Sequence, residues 1–114
     1  MNVVHTKVGR DIHLVELNRP LAAGLAKETV QAFRDISDQG GRRVIVNMEH
    51  VPFIDGPGLV ALLVGLDIFG GDGQALQLAR LQTQPRLLFE LTEFGKLFRI
   101  SDSVAEAVAA AQVA

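Results

Sequence analysis

The sequence predicts an α/β domain, with a mixed sheet of four to five strands packed against about four helices. Three features predict it. Two short apolar runs at the start are separated by Gly9-Arg10-Asp11, the pattern of a β-hairpin. Strand and helix periodicities then alternate, as they do where helices carry the chain between parallel strands. In the middle, Arg43 to Phe69 runs from an apolar strand through a short polar loop into an almost wholly apolar helix, which calls for cover on most sides. The 114 residues show no linker, internal repeat or low-complexity segment apart from an alanine-rich tail, so residues 1–114 are expected to form one domain.

In order, Val3, Val4 and Val8 belong to a first strand. Ile12 to Leu17 form a second, with Ile12, Leu14 and Leu17 expected inward and His13 and Glu16 outward. Asn18-Arg19-Pro20 breaks that strand, and Leu25, Val30, Phe33 and Ile36 recur at helical spacing until Gln39-Gly40-Gly41. Val44, Ile45 and Val46 are consecutive β-branched residues that suit an interior strand packed on both faces. Asp55 or Gly56 is expected to cap the following helix, with Pro57 tolerated in its first turn because amides there lack intrahelical acceptors. Gly70-Gly71-Asp72-Gly73 closes it, and Ala75, Leu76, Leu78 and Leu81 give the next strand. Pro85 opens a third helix carrying Leu87, Leu88, Leu91 and Phe94 and closed by Gly95. Leu97 to Ile100 make a short connecting strand, and Ser101 or Asp102 caps a last helix with Glu106 on its outer side.

Composition excludes several classes of function. Eleven basic against thirteen acidic side chains give a formal charge of −2, with no basic block to follow a phosphate backbone, so nucleic acid is not an expected partner. The absence of cysteine removes disulfides, thiolate metal sites and cysteine nucleophiles together. The N-terminus lacks a signal-peptide core, and the longest apolar run, Leu59 to Leu66, is far short of the roughly 20 residues that span a bilayer. A cytoplasmic protein without direct membrane insertion is expected. His5, His13 and His50 have no partner at metal-ligand spacing and are expected at the surface or at strand edges. The scattered hydroxyl residues fit no nucleophile-elbow pattern. No catalytic residue, metal or cofactor is expected, and the protein is not expected to be an enzyme. Gly56 to Ala61 matches G-x-G-x-x-A, but a polar loop separates it from the strand, and Ala75 to Ala79 holds no carboxylate for a ribose.

What remains is the turn Asp55-Gly56-Pro57-Gly58 at the start of the apolar helix. Asp55 either caps that helix and nothing more, or lies in a recognition loop with Gly56, Pro57 and Gly58, with Leu59 and Val60 mixing core packing and partner contact. The segment VIVNMEHVPFIDGPGLVALL resembles the STAS domains, and within them the small bacterial anti-sigma-factor antagonists. The resemblance extends over nearly the whole chain: Leu21-Ala22-Ala23 ahead of the first helix, Pro85 to Phe94, and Leu97 to Ser103 match further family elements in order.

That resemblance implies a signalling protein in transcription regulation, an anti-anti-sigma factor. Its partner would be an anti-sigma factor that is also a serine kinase, bound through Asp55 to Val60. The same family implies that the kinase ends the interaction by phosphorylating a serine at the helix start. Here that position corresponds to Pro57, and two nearby family aspartates correspond to Ala22 and Asn47, so serine phosphorylation at this loop is not possible. Two alternatives stay open: a STAS subunit docking on the ATPase of a membrane transporter, and a signalling-complex scaffold with Thr83, ahead of Pro85, as a weak phosphorylation candidate. A homodimer also stays open.

Overall fold

The computed structural model describes residues 2–113. It contains β1 (Val3–Gly9), β2 (Ile12–Leu17), α1 (Ala23–Asp38), β3 (Arg43–Asn47), α2 (Gly56–Ile68), β4 (Leu76–Ala79), α3 (Thr83–Glu90), a 3-10 turn at Glu93–Lys96, β5 (Arg99–Ser101) and α4 (Val104–Val113). The five strands lie in the order β1-β2-β3-β4-β5. β1 and β2 are the antiparallel hairpin, and β2–β3, β3–β4 and β4–β5 are parallel.

Alternation along the strands divides the interior in two. Val44, Val46, Leu76 and Leu78 face the larger core, with Phe33 and Ile36 of α1, Leu62 and Leu66 of α2 and Phe89 of α3. Ile12, Ile45 and Ala79 face the other way, against Ala107 and Ala111 of α4. The three consecutive β-branched residues of β3 therefore serve both layers, as an interior strand requires. Small side chains on α4 let it lie close to the sheet, where Nε2 of the fully buried Gln77 donates to the Ala107 carbonyl at 3.1 Å.

Several expectations are corrected. His13 does not face outward: it is 5% exposed, because α1 and the turn after it cover that side of β2, and Val15 beside it is also buried. Val30 lies half-buried, and the inward face of α1 is completed by Ala26 and Thr29, whose hydroxyl donates to the Leu25 carbonyl. The helix expected to run from Pro85 to Phe94 stops at Glu90, and Phe94 and Gly95 belong to the 3-10 turn. The Gly95 backbone passes so close to the Phe89 carbonyl that a Cβ would collide with it. Phe89 is the core residue of α3, while Leu87 and Leu91 are exposed. The last helix is capped by Ser103, not Ser101 or Asp102: its Oγ accepts from the Glu106 amide at 3.1 Å.

Candidate partner-binding site

β3 ends at Asn47, whose side chain folds back so that Oδ1 accepts from the Glu49 amide at 3.1 Å. The chain then crosses the C-terminal rim of the sheet to Asp55, held from both sides. Leu21 pairs with Ile54 as a parallel bridge: the Leu21 amide donates to Phe53 O at 3.1 Å, and the Asp55 amide to Leu21 O at 3.2 Å. On the far side Gln84 clamps Ile54, its Oε1 accepting from the Ile54 amide at 2.9 Å and its Nε2 donating to the Ile54 carbonyl at 3.2 Å. A loop fixed at both edges presents its remaining side chains in one geometry, which lowers the entropy lost on binding.

Asp55 is the N-cap of α2, with Oδ1 accepting from the Gly58 amide at 2.8 Å. Asp55→Ala is expected to lower stability by about 1 kcal/mol and Asp55→Asn by much less, measured by urea denaturation. Beyond the cap, the predicted contact residues separate by exposure. Gly56, Pro57 and Val60 are exposed, Val60 by 55%. Leu59 is half-buried and packs on the main core. Gly58 is buried, and a Cβ on it would collide with the Leu21 carbonyl. Its role is to let α2 and the Leu21 segment touch.

α2 is also less enclosed than its composition implies. Gly65 lies so close to the Phe33 ring that a Cβ would meet ring carbons at 2.5 Å, and this approach sets α2 tightly against α1. Outside that seam runs a shallow apolar groove of about 280 Å³, walled by Ala26, Lys27, Val30 and Gln31 of α1 and by Pro57, Val60, Ala61 and Val64 of α2. Phe53, 44% exposed, stands on the same loop and edges a second hollow with Arg19, Pro20 and Leu25. Sequence reading missed both: it counted Val30 on the buried stripe of the helix and gave Phe53 no role.

The model of the STAS domain matches residues 4–107. The chain belongs to the STAS-domain family. Comparison with curated protein sequences gives no match. Among solved structures it is similar to a Thermotoga maritima protein described as an anti-sigma-factor antagonist, with TM-score 0.85 and 18% identity over 96% of this chain and 94% of that one. It is similar to the phosphorylated form of the Bacillus cell-fate determinant SpoIIAA, with TM-score 0.71 and 18% identity over 98% and 99% of the two chains. It is also similar to a sulfate transporter family protein from Wolinella succinogenes, with TM-score 0.75 and 26% identity over 95% and 90%.

One further feature sits on the same rim of this STAS domain. Arg80, just after β4, has φ 60°, a left-handed backbone that a large side chain rarely adopts. Its guanidinium meets Glu49 at 2.8 Å, and Gln82 Nε2 donates to the Glu49 carbonyl at 2.6 Å. An ion pair about half exposed contributes on the order of 0–1 kcal/mol, less than the roughly 1–2 kcal/mol cost of left-handed backbone. Arg80→Gly is therefore expected to raise stability by about 0.5–1 kcal/mol in urea denaturation. Thr83 is exposed as the first residue of α3. Among the described residues no group of three or more His, Asp or Glu is placed to hold a metal ion, and no helix is long and apolar enough to cross a membrane.

Proposed function

We propose that this STAS domain is a non-enzymatic binding module that docks a protein partner on the exposed part of the α2 start, Gly56, Pro57 and Val60, and on the apolar α1–α2 groove beside it. The observation that carries this reading is the juxtaposition of a rigidly held turn, an exposed Val60 and a groove whose walls are mostly apolar. Asp55 takes part by fixing the turn, and Gly58 and Leu59 by seating α2. The partner that fits the antagonist-like fold is an anti-sigma factor with a serine-kinase fold. Hydroxyl phosphorylation within this stretch is chemically closed, because Val51 to Gln82 contains no Ser, Thr or Tyr. The first hydroxyl beyond it, Thr83, belongs to α3. The antagonist would then be constitutively competent to bind, in a cytoplasmic setting.

A second reading rests on the 26% identity to the transporter family protein: docking on the ATPase of a membrane transporter through the same surface. The test is capture of tagged protein from its native lysate, wild type beside Val60→Glu, with mass spectrometry of what is retained. A kinase-fold anti-sigma factor lost with Val60→Glu supports the first reading. A transporter ATPase lost in the same way replaces it with the second, and an anti-sigma factor retained equally by both forms overturns the proposed surface.

A further inference from the structure

At the pole opposite the Asp55 turn, where β2 and β3 begin, His13 is buried inside the sheet's larger packed face. It is 5% exposed, and its Nδ1 has no hydrogen-bond partner among the described residues. A buried imidazole nitrogen without a partner is costly when neutral and more so when the ring is charged, because imidazolium carries two N–H donors that both need acceptors. Nδ1 has no acceptor among the described residues. From α1 and the turn after it, the neighbours are the Ile36 side chain and the backbone of Gly41, where a Cβ would fall 2.9 Å from His13 Cδ2. From β1, the residue opposite is Lys7, and the His5 ring lies 5.8 Å away centre to centre. From the hairpin turn, Asp11 is the single carboxylate acting on the ring, and it is itself exposed. Arg42, next to Gly41, is exposed.

We propose that His13 is an acid-sensitive latch: its protonation opens this end of the β1–β2 hairpin and its ties to β3, leaving the partner-binding end folded. The part that would open includes an edge of the sheet. β1 is an edge strand, Thr6, Lys7 and Val8 are exposed, and the register shifts between Lys7 and Gly9. Where the hairpin turn meets β3, the amides of Arg42 and Arg43 donate to the Asp11 carbonyl at 3.3 and 3.0 Å, ahead of the β2–β3 ladder. Opening this end gives the ring water, which supplies the acceptor that Nδ1 lacks when closed.

Burial, with smaller contributions from His5 and Lys7, lowers the His13 pKa below its ordinary 6.5, and Asp11 opposes this only in part. The closed form therefore keeps a neutral ring where the opened form already takes up a proton. Closure is at full strength above pH 6.5 and weakens as pH falls from there to the ring's closed-state pKa.

The test combines an NMR titration of the histidine rings with hydrogen exchange from about pH 7.5 to about pH 5, read as protection factors of Thr6, Leu14, Arg42 and Arg43 against Leu62 and Leu66 of α2. In the wild type His13 is expected to titrate below the ordinary histidine value of 6.5. The hairpin amides are expected to lose protection roughly tenfold for each pH unit between the two pKa values, while α2 holds. In His13→Gln that loss disappears. In Lys7→Gln, an exposed substitution that keeps the fold, it shrinks, because the closed-state pKa moves back toward 6.5. A His13 that titrates at or above 6.5, an α2 that loses protection in parallel, or a loss unchanged in either variant overturns the latch.

Discussion

Gly58→Ala lowers the stability of the fold by about 3 kcal/mol or more, out of a total that for such domains is about 5–15 kcal/mol. The reason is geometric. Gly58 is the third residue of α2, its φ is not in the left-handed region, and alanine would otherwise favour the helix by nearly 1 kcal/mol over glycine. That gain is overwhelmed because the new Cβ falls on the Leu21 carbonyl, with the Leu21 carbonyl carbon at 2.8 Å as well. A backbone atom cannot swing aside as a side-chain end can. Leu21 is fully buried, and its carbonyl is the acceptor for the Asp55 amide, so relieving the clash separates the α2 start from the Leu21 segment and breaks the bond that fixes the turn. Urea denaturation of Gly58→Ala beside Gly56→Ala, whose Cβ meets nothing, measures the effect. Equal stability of the two variants would refute it.

Val60→Glu is expected to leave stability within about 0.5 kcal/mol of wild type while weakening partner binding at least about a hundredfold. Val60 is 55% exposed on α2 and lines the groove opposite Lys27. A glutamate there keeps good helix propensity and has Lys27 within the same groove, so the free domain has little reason to object. Bound, the carboxylate would be stripped of water between mostly apolar walls, an effective cost on the order of several kcal/mol that the exposed Lys27 offsets only in part. Titration calorimetry with the captured partner and a thermal melt of the free protein separate the two effects. Binding unchanged with the melt unchanged would place the interface elsewhere.

The order and kind of the elements were legible because periodicity and turn chemistry are local. The hairpin over Gly9-Arg10-Asp11, the interior strand around Ile45, the cap at Asp55 and the glycine stop after α2 stand as read. The α3 boundary was not legible. Leu91 and Phe94 continue its helical spacing, but the chain turns after Glu90 to bring Gly95 against Phe89.

Within the candidate site, the exposure of each residue was not legible. From the sequence, Asp55 to Val60 formed one block, with Leu59 and Val60 expected to mix core packing and partner contact. The structure sorts them, burying Gly58 against Leu21, seating Leu59 in the core and leaving Gly56, Pro57 and Val60 outside. The same step hid His13. Alternation marked it as the outward side of β2, and it is covered because α1 packs on that face.

By itself, the sequence determined the α/β alternation, a polar turn with Asp55 or Gly56 to cap an apolar helix, and the lack of any hydroxyl from Val51 to Gln82 to carry phosphate. Only the tertiary structure decided which apolar side chains stay in water and which polar ones leave it. Exposure is a property of pairs of elements distant along the chain. Leu21 meets Gly58, Phe33 meets Gly65 and Gly41 meets His13, and no local pattern records which neighbour will cover a given face.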